Sequence, residues 1–191
     1  INPNAIYSMA DIFEKRGENK PALENFQRAY TLFPNFENAH MARYRAALLL
    51  GTSKLCGCVN ELLLDTATKF PKAQGGMLSA VRFAENNLDT KSTADWEKFL
   101  ADALASKDLQ VYEAADLAVI RSLYREKMYD KALEKIVEFG RRSYNSPLMN
   151  DVYNIKQLIR LEQAKQAYDD AIYKRAQDYV KMLSDEFPET P

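Results

Sequence analysis

Four of the chain's eleven arginines, Arg45, Arg82, Arg121 and Arg160, follow one another at intervals of 37, 39 and 39 residues. A guanidinium is a planar fork of N–H donors that pairs bidentately with a carboxylate. A row of such forks in one groove would therefore grip an extended acidic segment or a C-terminal carboxylate. In the same register Asp11 precedes Arg45, and Tyr7, Tyr124 and Arg125 lie one turn to either side. The competing reading is structural: each arginine pairs with an acid of a neighbouring helix or lies on a solvated face.

Other residues with reactive side chains are sparse. Cys56-Gly57-Cys58 invites a metal or redox reading, because a thiolate near a helix N-terminus has a lowered pKa. A zinc site needs four ligands, however, and His40 is the only histidine. Two cysteines one residue apart cannot bridge within a helix or strand without distortion, so both are expected unpaired at a helix start. Unpaired cysteines slightly favour the cytoplasm, with a bacterial periplasm or envelope as the alternative. No metal or cofactor is expected. Gly75-Gly76 lacks the lysine and preceding strand of a phosphate loop, and Asp169-Asp170 reads as a turn into a helix, where carboxylates favour the dipole.

The elements that must position these residues are helices. Of 191 residues 47% are hydrophobic and 28% charged, with only 6 Gly and 7 Pro, and no stretch alternates with period two. The 26 basic and 27 acidic residues give a net charge of −1, which removes the basic excess of a nucleic-acid binder. The longest aliphatic runs, Ala46 to Leu50 and Leu62 to Leu64, fall far short of the ~20 residues of a membrane span. Phe33-Pro34 and Phe70-Pro71 stand 37 residues apart, and Phe187-Pro188 follows 117 residues on, about three further periods. Polar breaks at Ser106-Lys107-Asp108 and Asn145-Ser146-Pro147 supply the intermediate boundaries. Five units of two helices follow, near 4–16/20–33, 37–51/54–70, 72–86/93–106, 109–126/129–142 and 147–162/168–186.

The first unit resembles a tetratricopeptide repeat. Ala5, Met9-Ala10, Phe13, Gly17, Ala22, Phe26, Ala29 and Pro34 stand where that family places its small, large apolar, turn and closing-proline residues. The fourth unit matches the second half of the pattern through Leu123, Lys127 to Leu133, Ile136 and Phe139, and the fifth through Tyr168-Asp169-Asp170-Ala171-Ile172. Units two to five depart from the family's length of 34 residues, and the third lacks the signature in its second helix. The resemblance implies an all-α fold over residues 1–191, a right-handed superhelical solenoid of about five antiparallel hairpins. It also implies that the first helices line a concave peptide-binding groove.

Arg45, Arg82, Arg121, Arg160, Tyr7, Asp11, Tyr124 and Arg125 are then the candidate ligand-binding residues. The expected function is that of a non-enzymatic adaptor or assembly scaffold binding an acidic or carboxylate-terminated protein segment. The alternative is an envelope or secretion-complex assembly protein docking partners by its edges and convex face; an enzyme using Cys56 and Cys58 is the third class. Because the chain opens at Ile1 and Asn2-Pro3-Asn4 reads as an inter-helix connection, a fragment of a longer protein is expected. At least one terminal helix should then expose an apolar stripe, with Leu148, Ile155, Leu158 and Ile159, or the Ile6 side of the first helix, as candidates.

Overall fold

The computed structural model describes residues 2–53 and 58–188, and among them every regular element is helical. The helices are α1 (Pro3–Lys15), α2 (Asn19–Leu32), α3 (Ala39–Ser53), α4 (Val59–Lys69), α5 (Gln74–Asn86), α6 (Thr93–Phe99), α7 (Ala101–Leu104), α8 (Leu109–Arg125), α9 (Tyr129–Arg142), α10 (Met149–Asp169) and α11 (Tyr173–Glu186). The chain divides into two compact units, residues 1–115 and 116–191, with the division inside α8. In the first unit α1 packs on α2, α2 on α3, α3 on α4 and α5, and α4 on α5; in the second, α9 packs on α10 and α10 on α11.

Three hairpin turns are built alike. Gly17, Lys127 and Ala171 take positive φ values of 75°, 58° and 59°. In each turn the following N–H reaches back five residues: Glu18 N to Phe13 O at 2.9 Å, Met128 N to Leu123 O at 2.9 Å, and Ile172 N to Ala167 O at 2.8 Å. This left-handed cap satisfies the last carbonyls of the first helix and reverses the chain. The opposite turns recur as well. Phe33, Phe70, Ser143 and Phe187 close their helices with φ between −130° and −140°, and proline follows three of them. A residue before proline is excluded from the α region, which sets the stop.

The fifth turn corrects the expected boundary. The match at Tyr168 to Ile172 suggested a second helix starting near 168, but α10 runs on to Asp169 and the turn residue is Ala171. Asp169 and Asp170 therefore sit at the C-terminal end of α10, where the helix dipole disfavours them, and not at an N-terminus. The third hairpin differs too: its second helix is split at Leu100 into α6 and α7. Ser92 caps α6 as expected, its hydroxyl accepting from Asp95 N at 3.2 Å.

Small residues let the paired helices approach. Ala10, Ala22 and Ala29 are wholly buried around Phe26, and Ala42, Ala46 and Leu49 of α3 complete that core. Ala132, Ile136 and Phe139 of α9 are buried in the second unit. At the start of α5, which meets α3 and the end of α4, the approach is closer still. A Cβ on Gly75 would lie 2.6 Å from the His40 carbonyl, and one on Gly76 would overlap the Phe70 carbonyl oxygen. Gly75 N donates to His40 Nδ1 at 3.1 Å, and the imidazole lies against the Phe70 ring. Burial lowers the His40 pKa from its ordinary value, with the Glu37 charge opposing.

Candidate functional site

Arg45 is the centre of the best-formed polar constellation. From α3 it reaches across to α1: its Nε donates to Glu14 Oε2 at 2.7 Å, and one terminal nitrogen donates to Asp11 Oδ1 at 2.7 Å and to Glu14. The other donates to the Tyr7 hydroxyl at 3.3 Å. The guanidinium also lies over the Phe26 ring, 4.5 Å from its centroid. Burial alone would lower the pKa of Arg45; the hydrogen bonds it donates to Tyr7, Asp11 and Glu14 outweigh it, so the group is held more firmly charged. Lys15, at 2.8 Å, and then Arg45 hold the Asp11 carboxyl below its usual range. With 18% of its side chain exposed, Arg45 has its fork filled from within.

Each of the other arginines faces a carboxylate of the chain itself. Arg82 on α5 donates to Glu85 at 3.3 Å, one turn along the same helix, and keeps 50% of its side chain exposed. Arg121 on α8 faces Asp151 of α10 at 3.6 Å. Arg160 on α10 donates to Gln163 at 3.1 Å and faces Glu186 of α11 at 3.8 Å. Arg125 lies 4.0 Å from Glu126, and Tyr124 packs on Tyr129 with ring centroids 6.1 Å apart.

Of the expected residues, then, Tyr7, Asp11 and Arg45 come together, and Glu14 joins them. The signal for Glu14 was its place one turn beyond Asp11, on the α1 face turned to α3. The shared turns also revise the register. Gly17 with Lys127, and Phe33 with Ser143, fix an offset of 110 residues between the two hairpins. That offset makes Arg121 the counterpart of Asp11, but it puts Ile155, not Arg160, in the place of Arg45. The longer α10 carries Arg160 past the column.

Cys58 is disulfide-bonded, which corrects the expectation of unpaired thiols; Cys56 and Gly57 lie outside the described residues. The expectation assumed a helix or strand, whereas Cys58 stands in the turn ahead of α4. Thiol chemistry therefore no longer argues for a reducing compartment. Among the described residues no group of three or more His, Cys, Asp or Glu side chains is placed to hold a metal ion. No described helix is long and apolar enough to cross a membrane.

The apolar surface expected on a terminal helix lies only in part on the residues named. Ile6, Ile155 and Ile159 are buried, Leu148 is half-buried, and of the candidates Leu158 is exposed, at 45%. Other exposed side chains include Met9 and Ile12 on α1, and Tyr168, Tyr173 and Val180 in the last hairpin. The last three belong to an open groove of about 640 Å³, with Ala176, Gln177, Lys181, Ser184 and Asp185 as its remaining walls. Compared with known proteins, the chain matches no family model and no curated protein.

Proposed function

We propose that this chain is a non-enzymatic interaction module, a tetratricopeptide-like solenoid that works as an adaptor or assembly scaffold. The observation that carries this reading is the repeated hairpin, with the same left-handed turn at Gly17, Lys127 and Ala171, packed on its neighbours and leaving apolar side chains exposed on the first and last helices. Repeats that each contact only their neighbours offer long surfaces to extended partners.

Within that reading an acidic or carboxylate-terminated segment has one arginine best suited to meet it. Arg82 is half exposed and is held by a single carboxylate on its own helix, a contact worth little in water. Arg45 is already occupied and serves the fold. Titration of fluorescent peptides ending in a free carboxylate, compared with their amidated forms, tests this. Arg82→Ala should weaken binding about two- to fivefold, the scale of one exposed ion pair, with loss on adding salt. Equal binding of both peptide forms, or no effect of Arg82→Ala, removes the carboxylate reading.

The exposed apolar groove of α11 favours a second mode, docking by the edges of the module. It applies to assembly with folded partners, whereas the Arg82 mode applies to extended ones.

A further inference from the structure

The two terminal hairpins expose the two halves of a joint that the chain itself makes between α2 and α3. There, Phe26 of α2 is wholly buried against Ala42, Ala46 and Leu49 of α3, while Arg43 of α3 lies over the Tyr30 ring at 5.0 Å. The turn residues Gly17 and Ala171, and the closing residues Phe33 and Phe187, fix an offset of 154 between α2 and α11. At that offset Phe26 corresponds to Val180 and Tyr30 to Ser184. Val180 is 55% exposed on the floor of the α11 groove.

The complementary half lies on α1. The offset of 34 that pairs Asp11 with Arg45 sets Met9 and Ile12 in the places of Arg43 and Ala46, the residues of α3 turned to α2. Met9 and Ile12 are half exposed. At the offset of 110 they correspond to Val119 and Ser122 of α8, both fully buried. Among the described residues, α11 thus carries an open second-helix face and α1 an open first-helix face.

We infer that two copies of this chain join head to tail, the Met9–Ile12 face of one seated in the Tyr173–Val180 groove of the other. This rests on the interaction-module reading and names its partner. Charge supports the pairing. Within the chain α2 packs on both α1 and α3 between two chain reversals, so these first helices run parallel, with Arg45 meeting Asp11 and Glu14 across them. The C-terminal end of the incoming α1, with Arg16 and with Lys15 already held by Asp11, then arrives at the C-terminal end of α10, with Asp169 and Asp170. Those two carboxylates are exposed at the helix end that disfavours them, and a cation relieves it. Such a contact is heterologous, using different surfaces on the two copies.

Sedimentation of the full chain over about a hundredfold range of concentration tests the inference, because an association obeys mass action. The apparent mass should rise with concentration. Val180→Asp and Met9→Asp should each hold the chain at monomer mass, since an unpaired charge is costly to bury. Mixed in equal amounts, the two variants should form a species of twice the monomer mass, because each retains the face the other has lost. Both positions are half exposed, so folding is checked by an unchanged helical circular dichroism signal. If either variant loses that signal, Tyr173→Glu and Ile12→Glu replace the pair. A chain that stays monomeric throughout overturns the inference, as does dissociation by Val180→Asp alone, which would mean that two tails pair. Failure of the mixture to associate overturns it too. A monomeric chain that still binds carboxylate peptides through Arg82 would sink the head-to-tail joint and leave the interaction-module reading standing.

Discussion

The first and last hairpins share one backbone plan and differ in what covers them. Both turn on a left-handed residue, Gly17 or Ala171, and both close on a non-helical phenylalanine, Phe33 or Phe187. Yet Phe26 is 0% exposed, and its counterpart Val180 is 55% exposed. The intermediate case is the fourth hairpin, where the same position, Ile136, is buried and α10 follows. Sequence pattern alone therefore does not decide burial at this position. The burial goes with α3 packing on α2 and α10 packing on α9, so one amphipathic helix can be core in one hairpin and exposed in another.

The comparison can be broken most strongly at the buried end. Phe26→Ala should cost about 3–5 kcal/mol of unfolding free energy in denaturant titration, from lost burial and the cavity left behind. Val180→Ala should change it by less than about 0.5 kcal/mol in the monomer, the usual range for an exposed site. Equal costs would mean that the two positions are not counterparts.

A second test concerns the closest helix contact. Gly76→Ala places a methyl group against the Phe70 carbonyl, a backbone atom that cannot turn away, and should cost at least about 3 kcal/mol. Gly140→Ala meets nothing within 4 Å and should stabilise α9 by up to about 1 kcal/mol. A smaller effect follows at the turns. Ala171 pays the left-handed penalty that Gly17 avoids, so Ala171→Gly should raise stability by about 0.5–1 kcal/mol after the entropy of glycine is allowed for. Gly17→Ala should lower it by a similar amount. Thermal melts of the two variants check the pair, and changes of the same sign would overturn the shared geometry.

The smallest expected effect is a pH dependence confined to the first unit. The folded His40 has a lowered pKa, so the unfolded chain binds its proton first as the pH falls. The stability this lends is whole above the ordinary histidine value of 6.5 and is lost as the pH drops below it. The Gly75 N–H then faces an imidazolium that cannot accept. Melting temperature against pH should slope downward below that value in the native chain and flatten in His40→Asn. A slope that persists in the variant assigns it to other groups.

The sequence was most informative where a rule is local. Proline after phenylalanine stops a helix for steric reasons, so the boundaries at 33, 70 and 187 were legible, as were the buried Ala22, Phe26 and Ala29 from their spacing. The arginine spacing was legible too, but its meaning was not. Periodicity put Arg45 and Arg82 in one column, and only the neighbouring helices distinguish a fork filled by Asp11, Glu14 and Tyr7 from one left half open. Arg160 was misregistered because the extension of α10 to Asp169 has no local marker: Ala171 adopts a left-handed turn without the glycine that announces it at Gly17. Cys58 was misjudged because the expectation assumed regular backbone around it.

By itself, then, this sequence determined that the chain is helical, where most helices start and stop, and which side of each one is apolar. These depend on steric and hydrophobic preferences acting over a few residues. Tertiary structure decided which apolar faces are covered, which arginines are already paired, and which turn residues bear strain. Each of these depends on what a residue far along the chain brings to the same place, and no short-range preference specifies that.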